Sequence, residues 1–438
     1  MAELARTIGR RDLTLLVIGS VIGSGIFLVP GGVLAKSGGT VGVALLVWLL
    51  GGVLSLLGAL TYSELGAMNP GSGGLYLYVR DAFGRLPAFL YGWTVFFVIQ
   101  AGTVATLAVA SSAYLEQFVP LGPSGRKVTS LVLIALLTWL NVRGTRISVA
   151  ALNAATLLKV AALVFLIVTL PLAGPGLGQV ETWWPEQFSP ALLQGAGLAM
   201  VSVLWAYEGW QYATFVAGEV VEPQRNLPAG LALGTLALVA IYTLANLGYV
   251  AALGAAGVAG SNRVAAEAMQ VTLGPTAAAL IAIPIIISMA SAAHGVMLTM
   301  PRVYFAMARD RVFFQRLGEI HPTYGTPAAA VVGGGLVAAV LAMLGTFEQL
   351  LNYVVFVGWI FYALGAASIF VFRRTLPDAP RPFRVPGYPW TPLLFILSAA
   401  AIVLNTIVSQ PLRQTVIGLG VVALGLPAYW FWRHRSGS

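Results

Sequence analysis

The sequence predicts an all-α membrane protein of twelve transmembrane helices, built as an inverted five-helix repeat followed by two C-terminal helices. Three observations carry this expectation. The composition is dominated by apolar residues, the apolar residues fall into twelve runs of bilayer length, and glycine-rich stretches interrupt the first and the sixth run. Of the 438 residues, 58% are hydrophobic and 9% charged, where soluble proteins carry about 25% charged residues. The mean hydropathy is +0.86. A net charge of +9 could suit a nucleic-acid binder, but the basic residues lie in short segments between apolar runs. That placement is topological. No nucleic-acid partner is expected, and the partner implied is the lipid bilayer. The chain has no cysteine, so disulfides, thiol nucleophiles and thiolate metal sites are excluded.

Allowing about 20 apolar residues per crossing, the runs lie at 13–35, 41–67, 86–116, 127–142, 147–172, 190–217, 227–254, 274–306, 326–346, 349–372, 389–410 and 413–432. The fourth is short. The segment between the seventh and eighth runs, with Arg263 and Glu267, is expected to hold a helix of its own. The whole chain, 1–438, reads as one domain, with a first repeat over 13–172, a second over 190–372 and extra helices over 389–432.

Basic residues set the orientation. Eighteen of the 24, among them Arg6, Arg10, Arg11, Arg302, Arg309 and Arg311, fall on the side of the N-terminus. Five (Lys36, Arg126, Lys127, Arg263 and Arg413) fall on the other, and Lys159 lies within a run. Both termini are therefore expected in the cytoplasm of a multi-pass plasma-membrane protein. Trp183, Trp184, Trp390, Trp430 and Trp432 fall at run edges, where interfacial aromatics belong.

The first interruption is Gly19 to Phe27, with three glycines and two serines in nine residues. Open backbone at bilayer depth is tolerated only where protein buries it or it lines a cavity. Such a break frees N–H groups on one half-helix and carbonyls on the other, which suits a zwitterion. The second interruption spans Leu204 to Gln211, with Glu208 and Gly209 at its centre. Five runs separate the start of the two interrupted ones, and an odd number of crossings makes the second unit enter from the opposite face. No residue-level similarity between the halves is evident, so the repeat rests on parity and on the breaks.

Several motifs occur together along the chain. They are Gly19 to Phe27; Glu64 with Asn69-Pro70-Gly71-Ser72-Gly73-Gly74-Leu75-Tyr76; Ala206-Tyr207-Glu208-Gly209-Trp210 with Gly218-Glu219 and Pro223 to Pro228; Pro301-Arg302 to Arg311; His321-Pro322 with Thr326-Pro327; and Pro380 to Tyr388. In these the chain resembles the amino acid–polyamine–organocation (APC) superfamily, and within it a bacterial member of the L-amino acid transporter (LAT) family. The resemblance implies a leucine-transporter-like bundle of ten helices plus two that carries amino acids as an exchanger or a proton-linked permease. Animal relatives join a partner subunit through a cysteine. Lacking one, this chain is expected to have no disulfide-linked partner.

On this reading the N–H groups of Ser24, Gly25 and Ile26 take the substrate carboxylate. The carbonyls of Val21, Ile22, Trp205 and Ala206 take the ammonium. The resemblance makes Trp205 a gate closing over the substrate, with Tyr207 beside it on the break. It also makes Lys159 the residue that stands where sodium sits in sodium-coupled relatives, tying the first helix to the eighth. Carbonyls around Gly19 and Ser20 and the hydroxyls of Ser288 or Ser291 are its expected partners. A lysine at that depth costs on the order of 3 kcal/mol unless partnered. Three roles stay open for Glu208: a structural hydrogen bond, a proton carrier, or a contact for cationic substrates. Glu64 reads as an end-of-span contact. Arg302, Arg309 and Arg311 read as cytoplasmic anchors, with pairing to Asp81, Glu219 or Asp310 in an inner gate as the alternative. His294 has no second ligand nearby, so neither metal nor cofactor is expected.

The function expected is sodium-independent movement of L-amino acids, neutral ones first, by alternating access. A proton-coupled permease for cationic amino acids or polyamines is the alternative, with a non-transporting amino acid sensor as the rival of another class. Enzymatic activity is not expected, because no nucleophile–base pair lies within the runs.

Overall fold

A computed structural model describes residues 4–345, 347–409 and 412–436. Among them the chain is helical throughout, and its one piece of paired extended backbone is the bridge between Ile8 and Val220. The first run is three short helices, α1 (Arg10–Val21), α2 (Gly25–Leu28) and α3 (Pro30–Lys36), followed by α4 (Val41–Met68) and the short α5 (Leu75–Phe83). The third run joins α6 (Arg85–Thr94) to α7 (Gln100–Leu115) through a π-helical turn at Val95–Ile99. Then come α8 (Gly122–Val142) and α9 (Thr145–Ala173).

The second half opens with α10 (Pro190–Ala206), whose N-terminus is capped by Ser189 and has Pro190 as its first residue. It continues as α11 (Tyr212–Phe215), α12 (Pro223–Ala259), α13 (Val264–Leu273), α14 (Pro275–Thr299), α15 (Pro301–Arg309), α16 (Ala328–Leu344) and α17 (Phe347–Thr375). The chain ends in α18 (Trp390–Ser409) and α19 (Leu412–Ser436). The segment expected to fold between the seventh and eighth runs is α13. α8, which carries the fourth run, starts at Gly122, five residues before the apolar stretch, because Pro123 opens a first turn that composition alone reads as loop.

Ten of these helical stretches are long and apolar enough to cross a membrane, and α10 and α16 are shorter apolar helices. The interior sits around the first and third runs. In Arg10–Leu28, 72% of the apolar window is buried and in Arg85–Leu115 89%, against 22% in Gly122–Val142 and 17% in Val416–His434. Polarity is inverted relative to a soluble protein. Lys159, Glu64, Glu208, Glu219 and Arg302 are buried, while Trp139, Leu172, Leu280 and Val408 face outward. That is the arrangement a lipid solvent selects. The side chains of Arg413 and Arg435, which enter the charge count, lie outside the described residues.

Candidate functional site

The two interruptions open where the glycines stand, and they face each other. α1 ends at Val21, Ile22 turns to an extended conformation (φ −70°, ψ 94°), and α2 begins at Gly25. α10 ends at Ala206, and Tyr207–Gln211 form turns before α11 begins. Contact between the broken segments is backbone to backbone. A Cβ added at Gly25 would lie 2.5 Å from the Ala206 Cα. Gly209 adopts φ +124°, where side-chain-bearing residues are strained, and a Cβ there would meet the Ser20 backbone at 3.2 Å.

Between them lies a hollow walled by Ser20, Val21, Gly23, Ser24 and Gly25 from the first break and Trp205, Glu208 and Tyr212 from the second. Thr103 and Leu107 of α7 and Ala292 of α14 complete it. Its free space is ≈ 20 Å³, about what one water needs. The walls are therefore drawn close, and loading an amino acid requires one of them to move. The Trp205 indole Nε1 reaches the Ser24 hydroxyl at 3.3 Å, joining the two breaks across the hollow.

Each exposed backbone end has a definite environment. As the opening N–H groups of α2, those of Ser24, Gly25 and Ile26 have no helical carbonyl one turn behind them. On the other end Lys159 of α9, fully buried, donates to Gly19 O (2.5 Å), Ile22 O (2.7 Å) and the Ser291 hydroxyl (2.7 Å). All three of its protons have acceptors. Ser288 donates toward Ile22 O (3.1 Å) and Gly23 O (3.2 Å), and Ser291 donates to Ser288 O (3.0 Å). Of the partners expected for Lys159, the Gly19 carbonyl and the Ser291 hydroxyl are the ones it touches. The Ser20 hydroxyl is buried without a partner, and Ser288 reaches the same strand of carbonyls independently.

One expected substrate ligand needs correction. The Ile22 carbonyl has two lone pairs, and Lys159 and Ser288 both address it. It belongs to the lysine cage, where the Lys159 ammonium already holds it at 2.7 Å. Val21, Ser24, Gly25, Trp205 and Glu208 line the hollow, and Ile26, Ala206 and Tyr207 adjoin lining residues in sequence without lining it themselves. The Tyr207 ring turns away to pack against Trp48 and Tyr242.

Glu208 is held through one oxygen. Its Oε1 accepts from Tyr362 OH (2.6 Å), Gln211 Nε2 (2.7 Å) and Tyr212 OH (3.1 Å). Tyr62 OH in turn donates to Tyr362 O (3.0 Å), so the carboxylate anchors a buried link from the second break to α17 and α4. His294 is bracketed by the Asn141 amide and the Ser148 carbonyl, each at 2.9 Å.

Polar contacts also close the end of the bundle that carries the N-terminus. Arg302 Nε and Nη2 donate to the two Glu219 oxygens at 2.8 and 3.2 Å, and Nη1 donates to Leu298 O. Thr145 donates to the same carboxylate at 2.9 Å. The Thr7 and Ile8 N–H groups donate to Glu219 O (2.8 and 3.0 Å), clipping the N-terminal segment onto the same point. Arg80 pairs with Asp310 at 2.8 Å. Glu64, fully buried, accepts from Arg373 Nε (2.9 Å) and Nη2 (2.7 Å) and from the Val385 N–H (2.7 Å). Of the three arginines read as anchors, Arg302 is thus the one in a buried ion pair with Glu219.

Sequence reading missed Thr103, Leu107 and Ala292, which reach the hollow from helices with no local break, and Tyr212, the first residue of α11 beyond the second break. It also missed Tyr242 on α12, whose phenol addresses Ala206 O (2.9 Å) and Val21 O (3.2 Å).

Comparison with known proteins matches this arrangement to one family. The amino acid permease family matches residues 8–426. The Large neutral amino acids transporter small subunit 2 of Mus musculus is 32% identical over 450 aligned positions, covering 99% of this chain and 82% of the relative. The Serine/threonine exchanger SteT of Bacillus subtilis (strain 168) is 30% identical, covering 99% of this chain and 98% of the relative. The human Cystine/glutamate transporter is 31% identical, with 96% and 85% covered. With both interrupted helices and the hollow inside the matched region, the chain belongs to the amino acid permease family.

Proposed function

We propose that this chain, a multi-pass membrane transporter and not an enzyme, exchanges neutral L-amino acids by alternating access without sodium. The observation that carries the reading is the meeting of two interrupted helices at one enclosed hollow. Unpartnered N–H groups of α2 stand on one wall, and the carbonyl end of α1 at Val21 stands on another. This pairing suits the carboxylate and ammonium shared by all amino acids. Ser24, Gly25 and Ile26 take the carboxylate. Val21 and the carbonyls at the end of α10, Trp205 and Ala206, take the ammonium. Trp205, bonded to Ser24, is the gate, and Lys159 with Gly19, Ser288 and Ser291 does the work a sodium ion would do.

Twelve crossings follow if α10–α11 and α16 span with the ten longer stretches, and the two breaks then belong to inverted five-helix repeats over 13–172 and 190–372. Both termini lie in the cytoplasm on this topology. The chain works without a disulfide-linked subunit. Preference for neutral side chains rests on Glu208, whose carboxylate already receives three hydrogen bonds from the protein. The names of the murine and Bacillus relatives, a neutral amino acid transporter and a serine/threonine exchanger, point the same way.

Uptake of labelled amino acid into proteoliposomes tests this reading. Exchange requires uptake to depend on internal amino acid and to ignore external sodium. Uptake driven by a pH gradient into vesicles without internal substrate would replace exchange with proton coupling.

A further inference from the structure

We propose that the groove between α9 and α14, beside α13, seats one acyl chain of a bilayer phospholipid, and that this chain braces the two helices next to the Lys159 cage. The seating requires only that α9 and α14 cross a membrane. Its effect on exchange rests on the transport reading above.

Free space of ≈ 280 Å³ opens in this groove, against ≈ 20 Å³ in the hollow. Alanines make the room: Ala161 and Ala162 on α9 and Ala277 on α14 stand where longer side chains would close the seam. Met269 of α13 and Ile281 of α14 are buried at its base, while Leu158, Phe165 and Leu280 are exposed along its rim. Every lining residue is apolar, so nothing there holds water. An apolar cavity of about 150 Å³ already stays dry and takes a small hydrocarbon. α9 and α14 belong to stretches long and apolar enough to cross a membrane, so the exposed rim faces lipid tails. Among tails the hydrophobic effect does not choose one apolar surface over another. Contact does, because the walls of a void forfeit their dispersion partners and a flexible chain restores them.

The groove sits where the seam has no polar tie. α9 and α14 are bonded at two levels, His294 to Ser148 O at 2.9 Å and Lys159 to the Ser291 hydroxyl at 2.7 Å. The groove begins beside Lys159 at Leu158 and continues to Phe165, toward the C-terminal end of α9. Past Lys159, no hydrogen bond joins these two helices among the described residues. Spreading of the seam there would carry the ammonium away from Gly19 O and Ile22 O, which it also holds. A chain packed between the walls supplies the contact that the alanines leave out, and so keeps the cage in register.

The test uses proteoliposomes containing phosphatidylcholine with a diazirine midway along one acyl chain, irradiated and mapped by peptide mass spectrometry. Labelling of 158–165 and 269–281 should exceed that of the exposed α8 positions Val132 and Leu136 by at least about fivefold. Ala161→Phe and Ala277→Leu fill the groove from opposite walls, and each should bring its labelling down to the α8 level. Either variant alone decides the point if the other fails to fold. Labelling that merely follows exposure overturns the proposal, because it shows annular lipid only. Excess labelling that survives both substitutions overturns it by placing the chain elsewhere. A dimer whose interface shields the groove from the probe overturns it by making a second copy the occupant. For the brace, exchange by the parent should change when monounsaturated tails replace polyunsaturated ones, and exchange by the filled variants should change less. Equal dependence in parent and variants overturns the brace. A parent that takes up no amino acid sinks the transport reading and leaves the labelling result standing.

Discussion

Lys159→Ala separates a transport role for the lysine from a folding role. Three hydrogen bonds from an ammonium are each worth roughly 1.5–3 kcal/mol. The gross gain at Lys159 is set against the several kcal/mol that removing the ion from water costs. The two nearly cancel, so the folded protein loses little when charge and bonds disappear together. Two of the three acceptors keep another partner, since Ile22 O retains Ser288 and Ser291 still donates to Ser288 O. Only Gly19 O loses its side-chain partner outright. Transport is different, because the lysine contributes only in the arrangement that brings α1, α9 and α14 together. A bias of about 2–4 kcal/mol between conformations changes the turnover rate by about thirtyfold to a thousandfold. We therefore expect Lys159→Ala to purify as a monodisperse protein with a thermal midpoint near that of the parent, while exchange in proteoliposomes drops at least about thirtyfold. Exchange at the parental rate would refute the assignment of Lys159 to coupling. Failure of the variant to fold would refute the cancellation on which it rests.

Two further substitutions test the surroundings of the site. Glu208→Gln keeps an oxygen for two of the three donors Tyr362, Gln211 and Tyr212, so uptake of a neutral amino acid should stay within about tenfold of the parent, the scale of one net hydrogen bond. Loss of an arginine or polyamine activity present in the parent would instead favour the cationic reading. Arg302→Leu leaves the Glu219 carboxylate buried without its cation, which costs about 3–5 kcal/mol. The thermal midpoint should fall, and Glu219→Gln added to Arg302→Leu should recover part of it. Unchanged melting of the single variant would show that the buried pair contributes nothing to closing this end of the bundle.

What could be read from the sequence was whatever leaves a local mark. Glycines and serines in the first run, and a glutamate with a glycine in the sixth, announced the two breaks, and the structure opens them at 22–24 and 207–211. A lysine in the middle of a span announced itself by cost. The other walls of the hollow carry no such mark. Thr103, Leu107 and Ala292 sit away from either break, where an apolar run reads alike on every face. Which of its residues points inward depends on helix rotation against neighbours roughly 80 or more positions away in sequence. The π-helical turn at Val95–Ile99, which shifts the register of the helix carrying Thr103, is equally silent. Charges likewise named Arg302 and Glu219 without deciding their pairing, because that pairing is made by where α15 lies against the turn after α11.

The hydrogen bonds also divide the bundle into parts that can and cannot separate cheaply. α1 is tied to α9 and α14 by Lys159 and Ser288, through side chains gripping three carbonyls of one break. It is tied to α10 and α12 by the single phenol of Tyr242, but also by continuous apolar packing along α12, where Leu13, Val17, Leu231 and Leu238 are all buried. Polar ties in a low-dielectric interior are lost abruptly once their geometry fails, and substrate or water can replace them. Packed apolar surface has no substitute partner in a closed bundle. Opening should therefore part α1 from α9 while α1 and α12 move together. Spin labels test this directly, because the chain has no cysteine to remove. Arg11 on α1, Gln224 on α12 and Ile147 on α9 are all exposed. A pair at Arg11 and Gln224 should keep one distance distribution with and without amino acid, while a pair at Arg11 and Ile147 should shift or split. A fixed Arg11–Ile147 distance together with active exchange would mean that the lysine cage never opens, and α1 would then have to be assigned to the static part of the bundle.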